Sequence, residues 1–331
     1  MILKANLTLF EAIEIVLKGT KNKLMIELLS SMHNTLKSGN PIYKSFTGFE
    51  KYVDDIIISF FKISNMKGNT TIMVSSLCKV LNLKKRNKDL IFSSLSYPII
   101  IFISFIISLF IIFIFVIPKF ETIFIQYNLT LPIYTTLLLS VKNFMIDYSF
   151  FVLILVLVLV LYIKIRYKNE KFRYKFDQLI ATKIPFISKL YVQSELYNLF
   201  ICLSVLCKSN YEFNIALENS IILLKNKYLL DRIQNINRCI KNGQSIYDSF
   251  EKANIFDDIV LNLINSGEKS STMNEALQRI EQYYKVNFTK SIKGFSSLIE
   301  PVFFAMMMLL ILWVMLAIFT PIWNMSEMIN L

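Results

Sequence analysis

One histidine, His33, occurs in 331 residues, and no second imidazole or obvious acid–base partner accompanies it. A packed or solvent-facing role on its polar helix is the expectation. Cys78, Cys202, Cys207 and Cys239 form no CxxC pair, so a transition-metal site has almost no ligands to draw on. These thiols are expected to be free, reduced and partly buried. Glycine is scarce at seven residues, and no GxGxxG or GxxxxGK[ST] loop is present, which excludes a nucleotide motor within this chain. No serine has a base partner in the pattern. The chain is therefore read as non-enzymatic, with no cofactor and no metal. No cleaved signal peptide is expected in this stretch, because Glu11 and Glu14 interrupt the opening apolar run.

Apolar length is what the chain has in abundance. Hydrophobic residues make up 54%, mean hydropathy is +0.50 and there are 28 phenylalanines. Residues 295–321, FSSLIEPVFFAMMMLLILWVMLAIFTP, place an apolar run between two prolines. Residues 92–118, FSSLSYPIIIFISFIISLFIIFIFVIP, repeat the construction 203 positions earlier (321 − 118). Nineteen residues separate the prolines of each pair (118 − 98 − 1). At about 1.5 Å per residue such a rod is about 28 Å long, close to a bilayer core of about 30 Å. A third apolar run covers residues 150–163.

Duplication extends beyond the spans. NYEFNIALE at 210–218 echoes NLTLFEAIE at 6–14, and GQSIYDSF at 243–250 echoes GNPIYKSF at 39–46, both 204 positions apart. Asp257-Asp258-Ile259 echoes Asp54-Asp55-Ile56 at 203. Met273, Leu277, Ile280 and Tyr284 repeat the helical spacing of Thr70, Val74, Leu77 and Leu81. The resulting reading is an all-α membrane protein with two homologous cytoplasmic helical bundles and three transmembrane helices. Its divisions are a first bundle at 1–91, spans at 98–118, 144–163 and 301–321, an extracytoplasmic loop at 119–143, a second bundle at 176–294 and a tail at 322–331. Breaks are expected at Gly39-Asn40-Pro41, at Lys67-Gly68-Asn69 and at Gly267, which is read as a helix stop.

The net charge of +12 is spread along the chain, so no direct nucleic-acid binding is expected. Bases crowd three span ends: Lys84, Lys85, Arg86 and Lys88; Lys164, Arg166, Lys168 and Lys171; and Lys285, Lys290 and Lys293. The positive-inside rule then sets both bundles and the N-terminus in the cytoplasm and the C-terminus outside, in a multi-pass inner-membrane protein. The span centres offer only Ser104 and Ser108 as polar groups, which argues against a transport path. Two acids carry open questions. Glu300, whose counterpart in the first repeat is Tyr97, either serves the helix dipole or pairs with a base elsewhere. Glu268 either belongs to a helix break with Ser270 and its neighbours or contacts a partner.

The ordered set Gly243-Gln244-Ser245-Ile246, Gly267-Glu268-x-Ser270, Tyr283-Tyr284, Glu300-Pro301 and Pro321-Ile322, with 210–218 and Ile184-Pro185 before it, resembles the inner-membrane platform family of type II secretion and type IV pilus assembly. That family includes the competence-pilus platform. Similarity covers almost the whole chain. The resemblance implies a homo-oligomeric membrane platform that couples a hexameric cytoplasmic ATPase to insertion of pilin or pseudopilin subunits. Its candidate interaction or structural residues are Gly39, Pro98, Gly243, Gly267, Glu268, Ser270, Glu300 and Pro301. The chain departs from the family in three places. The first repeat lacks a helix matching 188–207, so a family-typical N-terminal portion is absent or the start is late. Ser64-Asn65 replaces Gly267-Glu268, and Ser271 stands where the family tends to have the glycine that Gly68 retains. On residues alone a membrane scaffold or receptor for another cytoplasmic partner stays open, with a channel or transporter a third reading.

Overall fold

Some helices of this chain start on side-chain caps and some stop next to a residue in the left-handed region, and both devices occur in each repeat. The computed structural model describes residues 7–67, 70–126, 132–184 and 187–329. Two units form: Met1–Lys88 with Tyr174–Thr289, and Asp89–Arg173 with Lys290–Leu331.

In the first unit, α1 (Leu9–Gly19) opens on a capping box in which Thr8 and Glu11 bond each other's backbone amides. The Thr8 amide and hydroxyl hold the Glu11 carboxyl below its ordinary range. Next come α2 (Lys23–Lys37), a 3₁₀ turn (Ile42–Phe46), α3 (Asp55–Lys67) and the first part of α4 (Thr70–Ile111). The second repeat contributes α7 (Glu170–Thr182), α8 (Ile187–Lys208), α9 (Phe213–Ser220), α10 (Lys227–Lys241), α11 (Ile246–Ala253), α12 (Asp258–Lys269) and the start of α13 (Met273–Ile329). Residues 68 and 69, where a break was expected, and Pro185 lie outside the described residues.

Helices α2 and α10 show the duplication most directly, since each has 15 residues. Asn22 Oδ1 accepts from the Met25 amide at 3.2 Å, and Asn226 Oδ1 accepts from the Leu229 amide at 2.9 Å. Both helices close on a glycine with positive φ, 69° at Gly39 and 84° at Gly243. In each, the glycine amide and the next one reach back to the last turn, Gly39 to Leu36 and Asn40 to Thr35, Gly243 to Ile240 and Gln244 to Cys239.

Helix α8 is apolar and long enough to cross a membrane, yet 72% of its most apolar window is buried, against 11% and 6% in the α4 and α13 runs. It is a core helix. Phe200 stacks on Tyr284 of α13 at 5.3 Å between centroids, and Tyr197 stacks on Phe288 at 6.3 Å. Its other side faces the first repeat: Asn198 accepts from Asn87 at 3.0 Å, and Ser209 just beyond it meets Ser76 at 2.7 Å. The two bundles thus pack as one unit. Burial pushes the Cys202 and Cys207 thiols up to about 12, and all four cysteines are free. His33 stacks on Phe10 at 4.4 Å, a packed role.

The second unit holds the rest of α4, a π turn (Ile112–Val116), α5 (Ile117–Gln126), α6 (Ile133–Arg166) and the rest of α13. The helix widens to the π turn just ahead of Pro118, which has no N–H to donate. Residues 155–161 of α6 are all well exposed, as a lipid-facing run requires. Within residues 119–143, read as a loop, 119–126 and 133–143 are helical, with Phe124 and Leu138 buried. Phe113, Ile117, Leu138 and Ala317 form one buried cluster. The span read as 144–163 belongs to a longer helix of 34 residues, α6. Lys142 pairs with Glu121, with side chains only 10% and 27% exposed, which neutralises two charges in an apolar setting. The tail from 322 to 329 continues α13.

Candidate functional site

In the first unit the candidate residues converge on the start of α11. Ser245 caps that helix by accepting from the Asp248 amide at 3.0 Å. The first two amides, of Ile246 and Tyr247, donate to the two oxygens of Glu268 at 2.7 and 2.8 Å. One carboxylate on α12 therefore caps a helix more than twenty residues upstream. Gly243 terminates α10 so that the chain can enter α11 at this point.

Gly267 is not the helix stop; it lies buried inside α12. A Cβ there would sit 2.6 Å from the Ala276 Cβ, so its missing side chain is what lets α12 and α13 approach. The stop comes at Ser271, which has a φ of 57°. The Ser271 amide donates to Glu268 O at 3.3 Å and the Thr272 amide to Gly267 O at 2.9 Å, the same two-bond closure seen at Gly39 and Gly243. A non-glycine residue in that conformation costs about 1–2 kcal/mol. The Ser270 hydroxyl donates back to Ser266 O at 2.6 Å. Tyr283 donates to Asp257 at the head of α12 at 2.9 Å, and burial first, then this bond, raises the phenol pKa.

The first repeat lacks this arrangement. Pro41 stands for Ser245 and Asn65 for Glu268, and the segment matching α11 is the five-residue 3₁₀ turn with no side-chain cap. Ser64 stands for Gly267; it is buried, and its hydroxyl has no hydrogen-bond partner among the described residues. Gly39 remains apart from the other candidates.

In the second unit Tyr97 and Glu300, counterparts 203 positions apart, meet: the Tyr97 hydroxyl donates to Glu300 Oε1 at a long 3.5 Å. Phe303 packs edge-on against Phe102 and Phe105 at 5.9 and 5.7 Å. Pro98 and Pro301 lie inside α4 and α13 instead of opening them. An internal proline leaves the carbonyl four residues earlier without its donor. For Pro98 that carbonyl is Ser94 O, and the Ser296 hydroxyl donates to it at 2.8 Å. For Pro321 it is Ala317 O, and the Thr135 hydroxyl donates to it at 2.6 Å. Each hydroxyl comes from a different helix and replaces the donor that proline lacks. In an apolar medium that replacement decides whether the proline can be carried mid-helix.

The first unit also holds two acids that no sequence pattern singles out. Asp177 Oδ2 accepts from the Lys227 amide at 2.7 Å, and Glu195 Oε2 accepts from the Lys225 amide at 2.7 Å, both at the head of α10. Burial raises the Glu195 carboxyl pKa, while the Lys225 and Asn226 amides oppose the shift. Glu195 is the one acidic residue of α8, the sign that could have flagged it. Among the described residues, no three of His, Cys, Asp and Glu gather in metal-holding geometry.

These features are scaffold features: caps, close approaches and helix-to-helix hydroxyl bonds, repeated in two halves. The model of the family described as "Type II secretion system (T2SS), protein F" matches residues 1–118 and again 200–321. The chain belongs to this family. It is 21% identical over 330 residues to the type IV pilus assembly protein PilC of Pseudomonas aeruginosa, covering 98% of this chain and 87% of that one. It is 20% identical over 327 residues to the type II secretion system protein F of Aeromonas hydrophila, with 99% and 84% covered. It is 21% identical over 326 residues to the protein transport protein HofC homolog of Escherichia coli, with 98% and 81% covered. The protein F family supplies structural platform components of the inner membrane, and this member carries its repeat twice.

Proposed function

We propose that this protein F relative couples a cytoplasmic hexameric assembly ATPase to the insertion of pilin or pseudopilin subunits into a filament, without bond chemistry of its own. The observation that carries the reading is the continuity of α4 and α13. Each starts among the packed helices of its repeat; α13 runs on as one helix through its apolar run, and α4 reaches Ile111, from where the π turn continues the helical path into α5. A force applied to a bundle would reach the membrane along this continuous helical backbone, and the hydroxyl bonds at Pro98 and Pro321 supply donors that those two prolines lack. Exposed apolar span faces offer pilin helices a surface, and a homo-oligomer would present several of them.

The orientation that goes with this reading has both bundles and the N-terminus in the cytoplasm and the C-terminus outside, supported by the bases flanking the spans. A reporter fused after Tyr174 should report cytoplasmic and one fused after Leu331 extracytoplasmic. A Tyr174 fusion that reports outside would end the coupling proposal, because no cytoplasmic ATPase could then reach the bundles.

A further inference from the structure

The last turn of α6 and the first turn of α7 bring five bases, Lys164, Arg166, Lys168, Lys171 and Arg173, into ten residues that hold a single acid, Glu170. The two helices meet in a closed turn. The Tyr167, Lys168 and Asn169 amides donate to Ile163 O, Ile165 O and Arg166 O at 2.8, 3.2 and 3.0 Å, and Asn169 Oδ1 accepts from the Lys171 amide at 3.0 Å. The bases are therefore held close together and do not trail along a free linker. Two of them are oriented by tyrosines: Arg166 donates through Nε to the Tyr162 hydroxyl at 3.2 Å, and the Arg173 guanidinium lies over the Tyr167 ring at 5.2 Å. Lys164, Lys168 and Lys171 are exposed and join no ion pair among the described residues. The other basic flanks differ. Lys84 is bound to Asp54 at 2.6 Å, and Lys285 interacts with the Glu281 carboxyl one turn before it.

We propose that this basic turn is a binding surface for the phosphate headgroups of anionic phospholipids. Depth decides the partner. The exposed apolar residues 155–161 of α6 end three residues before Lys164, about 4.5 Å along the helix, so the bases stand where an apolar run gives way to headgroups. Tyrosine rings belong at that level, and a cluster of bases beside a span attracts anionic lipid. The inference rests on α6 lying in the bilayer, not on which machine the chain serves or on which side its termini lie.

The test places the full chain in nanodiscs of phosphatidylcholine with a trace of spin-labelled phosphatidylglycerol or spin-labelled phosphatidylcholine, and reads the motionally restricted fraction of each. The phosphatidylglycerol label should associate about fivefold more strongly or better, and high salt should cut that preference. Lys164→Gln, Lys168→Gln and Lys171→Gln together should bring it down to the phosphatidylcholine level, while Lys→Arg at the same three positions should keep it. Lys290→Gln with Lys293→Gln, at exposed bases of another flank, should leave it unchanged. Equal association of the two labels with the unsubstituted chain overturns the proposal. A Lys290 and Lys293 variant that loses as much as the triple variant would reveal a diffuse charge effect and overturn the assignment to this turn. Displacement of the label by glycerol phosphate would make the surface a free-phosphate site, and displacement by polyglutamate a site for an acidic protein segment; either result overturns the lipid assignment.

Discussion

Glu268→Ala opens the first turn of α11, at an expected cost of about 2–4 kcal/mol. The estimate follows from two hydrogen bonds to a charged acceptor lost from partly buried amides. Ile246 and Tyr247 currently donate to its two oxygens at 2.7 and 2.8 Å. Ser245 would still hold the Asp248 amide, so the turn loosens at its first two residues while the helix body persists. Hydrogen exchange should show this directly, with protection lost across residues 246–250 and retained in α10. Glu268→Gln should recover little, because its amide nitrogen presents a donor to one of the two donors it must satisfy. The first repeat already displays the outcome, with Pro41 and Asn65 at the capping positions and a 3₁₀ turn in place of the helix. Unchanged protection in the alanine variant would mean that packing of Phe250 holds α11, and the carboxylate would lose its assigned role.

The second large effect is a coupling. Ser296→Ala removes the donor to Ser94 O and should cost about 1–2 kcal/mol, the range for a hydroxyl bond between membrane helices. In a Pro98→Ala background residue 98 regains its N–H and satisfies the same carbonyl, so Ser296→Ala should then cost close to nothing. The coupling energy in the double-mutant cycle is expected at about 1 kcal/mol, read from unfolding in detergent followed by circular dichroism. Thr135→Val and Pro321→Ala form the matching cycle at Ala317. Additive losses would show that the hydroxyls pack the helices together for reasons unrelated to the prolines.

How far the sequence led depended on whether a feature was local. The break at Gly39 and the apolar runs are local, the duplication that extends them to Gly243 is a comparison of such local patterns, and the helices follow them. Gly267 misled because a glycine before a polar string looks like a helix stop. Its actual role is a close approach to Ala276, a contact that local sequence does not display. The true stop, Ser271, was hidden by its residue type, since serine seldom adopts positive φ; only the family resemblance pointed to that position. The prolines looked like span boundaries for the same reason. That they sit mid-helix became clear only with Ser296 and Thr135, which lie on other helices. Glu268 carried an open question in the sequence, between a helix break and a partner contact; in the structure it accepts from the amides of a helix that precedes it by more than twenty residues.

Coupling is tested most directly by deleting the gene in its host and following two readouts together: filament assembly or secretion, and recovery of the assembly ATPase with the membrane fraction. The account predicts that filaments or secretion are lost and the ATPase shifts to the soluble fraction, with the full chain restoring both. Unaltered piliation, secretion and DNA uptake in the deletion strain, with the ATPase still at the membrane, would contradict it.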